Sequence, residues 1–145
     1  MQKLIAAIQQ EARRLLEDGE VEAVIGFADG TLPLRAAPLL ARKVDEVERL
    51  TWNSYCENNL ARYLRGFKGK KVAIVAKGCD TRSIVALMAE HQLERDKVYI
   101  IGVPCTGMVD RRIIARRVPG EVLEAREEGE EIVLAGEGFS ARLPR

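Results

Sequence analysis

Lys71-Val72-Ala73-Ile74-Val75-Ala76-Lys77-Gly78-Cys79-Asp80 and Val98-Tyr99-Ile100-Ile101-Gly102-Val103-Pro104-Cys105-Thr106-Gly107 share one pattern: a short apolar run, then a turn that carries a cysteine. Neither Val72–Ala76 nor Val98–Val103 alternates apolar with polar residues. Runs of this kind suit strands covered on both faces, as in a parallel sheet. Between them, Thr81–His91 places Ile84, Leu87 and Met88 at helical spacing. A strand–helix–strand unit within one sheet is parallel, with a right-handed crossover. Both strands therefore end at the same edge.

Outward from this unit the chain keeps alternating. Leu4, Ile5, Ile8, Ala12, Leu15 and Leu16 predict an amphipathic helix over residues 2–17, stopped by Asp18–Gly19. Val21–Phe27 reads as a strand, Asp29–Gly30 as a turn, and Thr31–Pro38, with two prolines, as a loop. Asp45 and Glu48 form a capping-box pattern for a short helix ending near Leu50. Asn53 or Ser54 caps a further helix carrying Cys56, Leu60, Tyr63 and Leu64, closed by Gly66 and Gly69. Met108–Val118 is the helix after the second cysteine turn. Beyond Pro119–Gly120, Glu121–Arg126 and Glu131–Ala135 flank a hairpin turn, and Phe139–Leu143 can add a strand. The expected fold is α/β: a mostly parallel sheet flanked by helices, with a small C-terminal β hairpin. Residues 1–120 form the α/β unit and 121–145 the hairpin extension.

Composition bounds the function. The 145 residues are 47% hydrophobic and 31% charged, which is a globular balance and not a disordered one. With 23 basic and 22 acidic residues the net charge is +1, and aromatics make up 5%. That balance does not point to nucleic acid. No apolar run approaches the length of a membrane span, and no signal peptide is visible, so the expected location is cytoplasmic. Three cysteines in a reducing compartment argue against structural disulfides.

The carboxyl edge is where open α/β sheets bind ligands. Each cysteine turn also precedes a helix, whose free N–H groups favour an anion. The cofactor-contact candidates are Lys77, Gly78, Asp80, Thr81 and Arg82 in the first turn, with Thr106 and Gly107 in the second. Asp80 is the expected N-cap. A helix N-terminus also favours thiolate, the form a metal or an iron–sulfur cluster requires. Cys79 and Cys105 are candidate ligands, with Cys56 as a third and a fourth drawn from another chain, a carboxylate such as Asp80, or a segment outside this sequence. Cysteine is equally an ordinary core residue. There is no CxxC, and Gly78-Cys79-Asp80 is not GxGxxG, so the argument is topological. Asp29-Gly30-Thr31, with Arg35 nearby, reads as an ordinary turn. The lone His91 suits a helix C-terminus and leaves no partner for a hydrolytic triad. Arg111, Arg112, Arg116 and Arg117, around Ile113 and Ile114, make either a solvated face or a docking surface for an acidic partner.

At these residues the sequence resembles the beta-subunit family of coenzyme F420-reducing hydrogenases and related dehydrogenases. The resembling stretches are Ile25–Phe27 to Pro33–Arg35, Trp52–Leu60, Lys71–Arg82 and Ile100–Gly107, within about residues 21–115. The resemblance implies the amino-terminal part of such a subunit: a flavin- and iron–sulfur-containing electron-transfer module within a larger complex. It would be a component of a hydrogenase, formate dehydrogenase or heterodisulfide reductase-like oxidoreductase, beside other redox subunits or a ferredoxin-like domain. FAD would place its phosphates on the Asp80–Arg82 turn, and Cys79, Cys105 and Cys56 would ligate or flank a cluster. The reading from another class is a regulatory or scaffolding α/β domain that binds an anionic ligand or partner.

Overall fold

The computed structural model describes residues 2–145. Helix α1, Gln2–Glu17, buries Ile8, Ala12 and Leu15 on the sheet. It ends where Gly19 takes φ 66°, a left-handed conformation that costs glycine little. Strand β1, Ala23–Asp29, is followed by β2, Ala36–Ala41, and later by β3, Val72–Ala76, and β4, Val98–Gly102. Their order is β2-β1-β3-β4. β1, β3 and β4 run parallel, and β2 is antiparallel to β1. The parallel pairing of the two apolar runs is therefore as the sequence predicts, in register from Val72↔Val98 to Ala76↔Gly102.

Helix α2, Gly78–Ala89, joins β3 to β4, and helix α3, Arg111–Arg117, follows β4. The apolar character of β3 has its physical reason here: all five residues are buried. β4, at the sheet edge, is only partly covered, with Tyr99 exposed.

The structure differs from the sequence reading in three places. Residues 36–38, expected as the end of the Thr31–Pro38 loop, belong to β2. Pro38 is tolerated there because β2 pairs on one side only, as an edge strand. The cap of the short helix Val44–Arg49, a 3-10 helix, falls earlier than the Asp45–Glu48 pattern: the Glu46 carboxylate accepts from the backbone of Arg42 and Lys43 at 2.7 and 3.0 Å. The helix expected from residue 53 or 54 starts only at Leu60, as a 3-10 helix to Phe67 capped by Asn59, so Cys56 lies in the preceding turn segment. In the C-terminal region the hairpin and the added strand form as the sequence allows, a three-stranded antiparallel sheet of β5 Val122–Glu128, β6 Glu131–Gly136 and β7 Phe139–Pro144. Ile132 and Leu134 of its central strand join the main core.

Candidate functional site at the carboxyl edge

Three parallel strands end on one edge, at Asp29, Ala76 and Gly102. Ala76 and Gly102 are register partners, and the Val103 N–H donates to the Ala76 carbonyl at 3.0 Å. Cys79 and Cys105 each stand three residues beyond that paired position, and both are exposed. Cys56 is different. It is fully buried, its sulfur lies 3.4 Å from the Asn53 Oδ1, and burial pushes its thiol up to about 11. Among the described residues no group of three or more His, Cys, Asp or Glu side chains is placed to hold a metal ion. The chain therefore brings Cys79 and Cys105 to one edge and leaves Cys56 in the core.

The first turn also rearranges the expected roles. Lys77, not Asp80, is the N-cap position, and α2 begins at Gly78. Asp80 sits inside the first turn, fully buried, and accepts from the Lys77 backbone N–H at 3.1 Å. The Lys77 ammonium, 3% exposed, pairs with the Asp80 Oδ2 at 3.0 Å, donates to the Asn58 carbonyl at 2.9 Å, and lies 5.2 Å from the centre of the Phe27 ring. Its donors are thus spent inside the fold. The Thr81 hydroxyl donates to the Lys77 carbonyl at 3.2 Å. Gly78, Arg82, Thr106 and Gly107 remain exposed at the edge.

A cleft lies at a loop whose sequence reads as an ordinary turn. The cleft, of about 980 Å³, opens past the end of β1, between the Asp29–Arg35 loop, the Thr51–Tyr55 segment and the C-terminal sheet. Its volume lies at the upper end of the range for ligand sites. Leu32 and Leu123 line it, and both are more than half exposed. Tyr55 also lines it, 9% exposed, with a buried hydroxyl that has no hydrogen-bond partner among the described residues. Burial first, and the Glu127 charge second, push that phenol up to about 12.

A polar chain links the cleft to the second cysteine turn. Glu127 accepts from the Ser54 backbone N–H at 2.8 Å and from the Ser54 hydroxyl. Arg145 lies 3.5 Å from the other Glu127 oxygen and donates to the Thr106 hydroxyl at 3.2 Å. The Val109 N–H reaches the Ser54 carbonyl at 2.9 Å. No local sequence signal marks this network, because Ser54, Thr106, Glu127 and Arg145 lie far apart along the chain. Only the odd Glu127 on the half-buried face of a Glu-rich strand hints at it.

Known proteins resemble this chain in sequence and fold. A family model for the C terminus of the beta subunit of coenzyme F420 hydrogenase/dehydrogenase matches residues 69–128. The chain resembles this family. The matched span contains both cysteine turns, and it corrects the expected placement, since the match is to the family's C terminus and not to its amino-terminal part. The F420-dependent formate dehydrogenase 1 subunit beta of Methanococcus maripaludis is 29% identical over 100 residues, covering 66% of this chain and 25% of the relative. A chain in the F420-reducing [NiFe] hydrogenase complex from Methanosarcina barkeri matches in structure with a TM-score of 0.67 at 15% identity, over 99% of this chain and 57% of that one. At that identity the likeness concerns the fold. The chain spans about a quarter of the length of the curated relative. No helix among the described residues is long and apolar enough to cross a membrane.

Proposed function

We propose that this chain is a redox domain of the hydrogenase/dehydrogenase beta-subunit type that works within a larger electron-transfer assembly. The observation that carries the reading is the match of residues 69–128 to the family model, a span that includes both edge turns. The carboxyl-edge cleft supports a large cofactor such as FAD. Its volume suits a dinucleotide, and the unpaired Tyr55 hydroxyl is a buried donor that a bound ligand would satisfy. Gly78, Arg82, Thr106 and Gly107 are exposed groups for phosphate on the two cysteine turns, outside the cleft's own lining. Bound there, a flavin supplies the electron chemistry, and the protein's part is to hold, orient and shield it. A cluster at this edge takes Cys79 and Cys105 from this chain and its remaining ligands from outside.

The test is anaerobic purification and reconstitution, followed by flavin, iron and sulfide assay. Flavin retained by the wild type, and weakened in Arg82→Ala but not in Arg142→Ala, supports the reading. Arg142 lies on β7 and pairs with Glu128 and Glu131, so it serves as a surface control. A chain that binds neither flavin nor iron after reconstitution overturns it in favour of a regulatory α/β domain.

A further inference from the structure

Helix α3 carries a basic face that no carboxylate among the described residues neutralises. Arg111 pairs with Glu57. Arg112, Arg116 and Arg117 are exposed, and no ion pair among the described residues uses them. Arg112 and Arg116 are four apart, so two like charges sit one above the other, an arrangement that destabilises an isolated helix. Ile113, 48% exposed, stands among them, while Ile114, 4% exposed, anchors the opposite side in the core. The whole chain has a net charge of only +1, so this is a local concentration and not a general basicity. An apolar side chain ringed by guanidinium groups has the make-up of a protein interface, in which arginine is enriched.

The location adds to the argument. The Glu57 pair and the Val109–Ser54 hydrogen bond tie the start of α3 to the segment around Cys56, and Cys105 lies six residues before Arg111. We propose that the Arg112–Ile113–Arg116–Arg117 face is a docking surface for an acidic protein partner that presents an apolar side chain amid carboxylates, seated beside the Cys105 turn. This deepens the redox reading, on which it rests, by giving the chemistry of the partner's surface. Charge complementarity of this kind steers encounter and sets orientation more than it adds affinity. Aromatics are scarce and α3 has none, so the face lacks the stacking platform of a single-strand nucleic-acid site.

The test uses a fluorescent 15-residue probe, Glu-Glu-Leu-Glu-Glu repeated three times, with fluorescence anisotropy at low and moderate salt. The expected result is salt-sensitive binding that falls by about tenfold or more in R112E/R116E/R117E, because three attractive contacts become repulsive. It should change little in R49E/R62E/R65E, a control with the same net charge change. Ile113→Ser should weaken the leucine probe but not a version with glycine in place of leucine. The proposal is overturned if the probe does not bind, if the control loses as much, or if a 15-nucleotide oligothymidine binds as tightly as the peptide. Because the readout is binding, it can fail while flavin and iron assays succeed, and the reverse.

Discussion

Lys77 shows how a residue chosen for its charge can be consumed by the fold. Placed after a buried strand, it has the chemistry of an anion donor, but its ammonium is turned inward to Asp80, the Asn58 carbonyl and the Phe27 ring. Lys77→Met should therefore destabilise the protein by about 3–5 kcal/mol, because the Asp80 carboxylate is left buried and uncompensated. Urea denaturation would measure it. The double variant Lys77→Met/Asp80→Leu should recover part of the loss, whereas a Lys77 that served only a ligand would give near wild-type stability in the single variant. The cysteines divide in the same way. Native alkylation with iodoacetamide at pH 8 should modify Cys79 and Cys105, which are exposed, well ahead of Cys56, which is buried with its thiol raised to about 11. Mass mapping of the modified sites checks this, and early modification of Cys56 would contradict its core assignment.

At the scale of elements, the β1–β2 hairpin forms one wall of the cleft and depends on a close backbone approach. The Gly30 N–H donates to the Arg35 carbonyl at 3.0 Å, and a Cβ at Gly30 would lie 2.5 Å from that same oxygen. Backbone cannot yield as a flexible side chain can, so Gly30→Ala should cost about 1–3 kcal/mol and widen the turn. The expected outcome is a lower denaturation midpoint together with weaker flavin retention. Unchanged stability would mean that the hairpin tolerates a shift of the whole loop. The hairpin is the least legible element in the sequence. Thr31–Pro38 has the proline content of a loop, and the segment from Ala36 pairs because its partner β1 is an apolar strand with a free side. The three-stranded C-terminal sheet is legible in its first two strands, which flank the turn at Gly129, φ 65°, and its third strand adds by simple antiparallel continuation.

Across the whole molecule, α1 is fastened to the edge of the sheet by charge as well as by packing. The Glu11 carboxylate accepts from Arg14 at 2.8 Å and from the Tyr99 hydroxyl at 2.7 Å, and those bonds hold its pKa down from 4.5 to about 2. The folded form keeps this carboxylate ionised where the unfolded chain has begun to protonate it. The unfolded state therefore binds more protons between about pH 4.5 and 2, and the Glu11 contribution is present above that window and lost on falling through it. Glu11→Gln should lower stability at pH 6 and converge with wild type towards pH 2, as followed by thermal melts across that range. Parallel curves at all pH values would assign the effect to packing alone.

What the sequence determined by itself is the local and periodic part. Two buried apolar runs with a helix between them dictate a right-handed parallel unit, and that unit sets Cys79 and Cys105 at equivalent positions past Ala76 and Gly102. Helical spacing in residues 2–17 likewise dictates α1 and its buried stripe. What only the tertiary structure decided is how distant segments use their polar groups. Whether Lys77 faces solvent or Asp80, whether Cys56 is exposed or buried, and whether Glu127 is a solvated charge or the tie between Ser54 and Arg145 depend on neighbours brought together by folding. The cleft is of the same kind: its walls come from the end of β1, the Thr51–Tyr55 segment and the C-terminal sheet, and a space between segments remote in sequence leaves no periodic trace in any one of them.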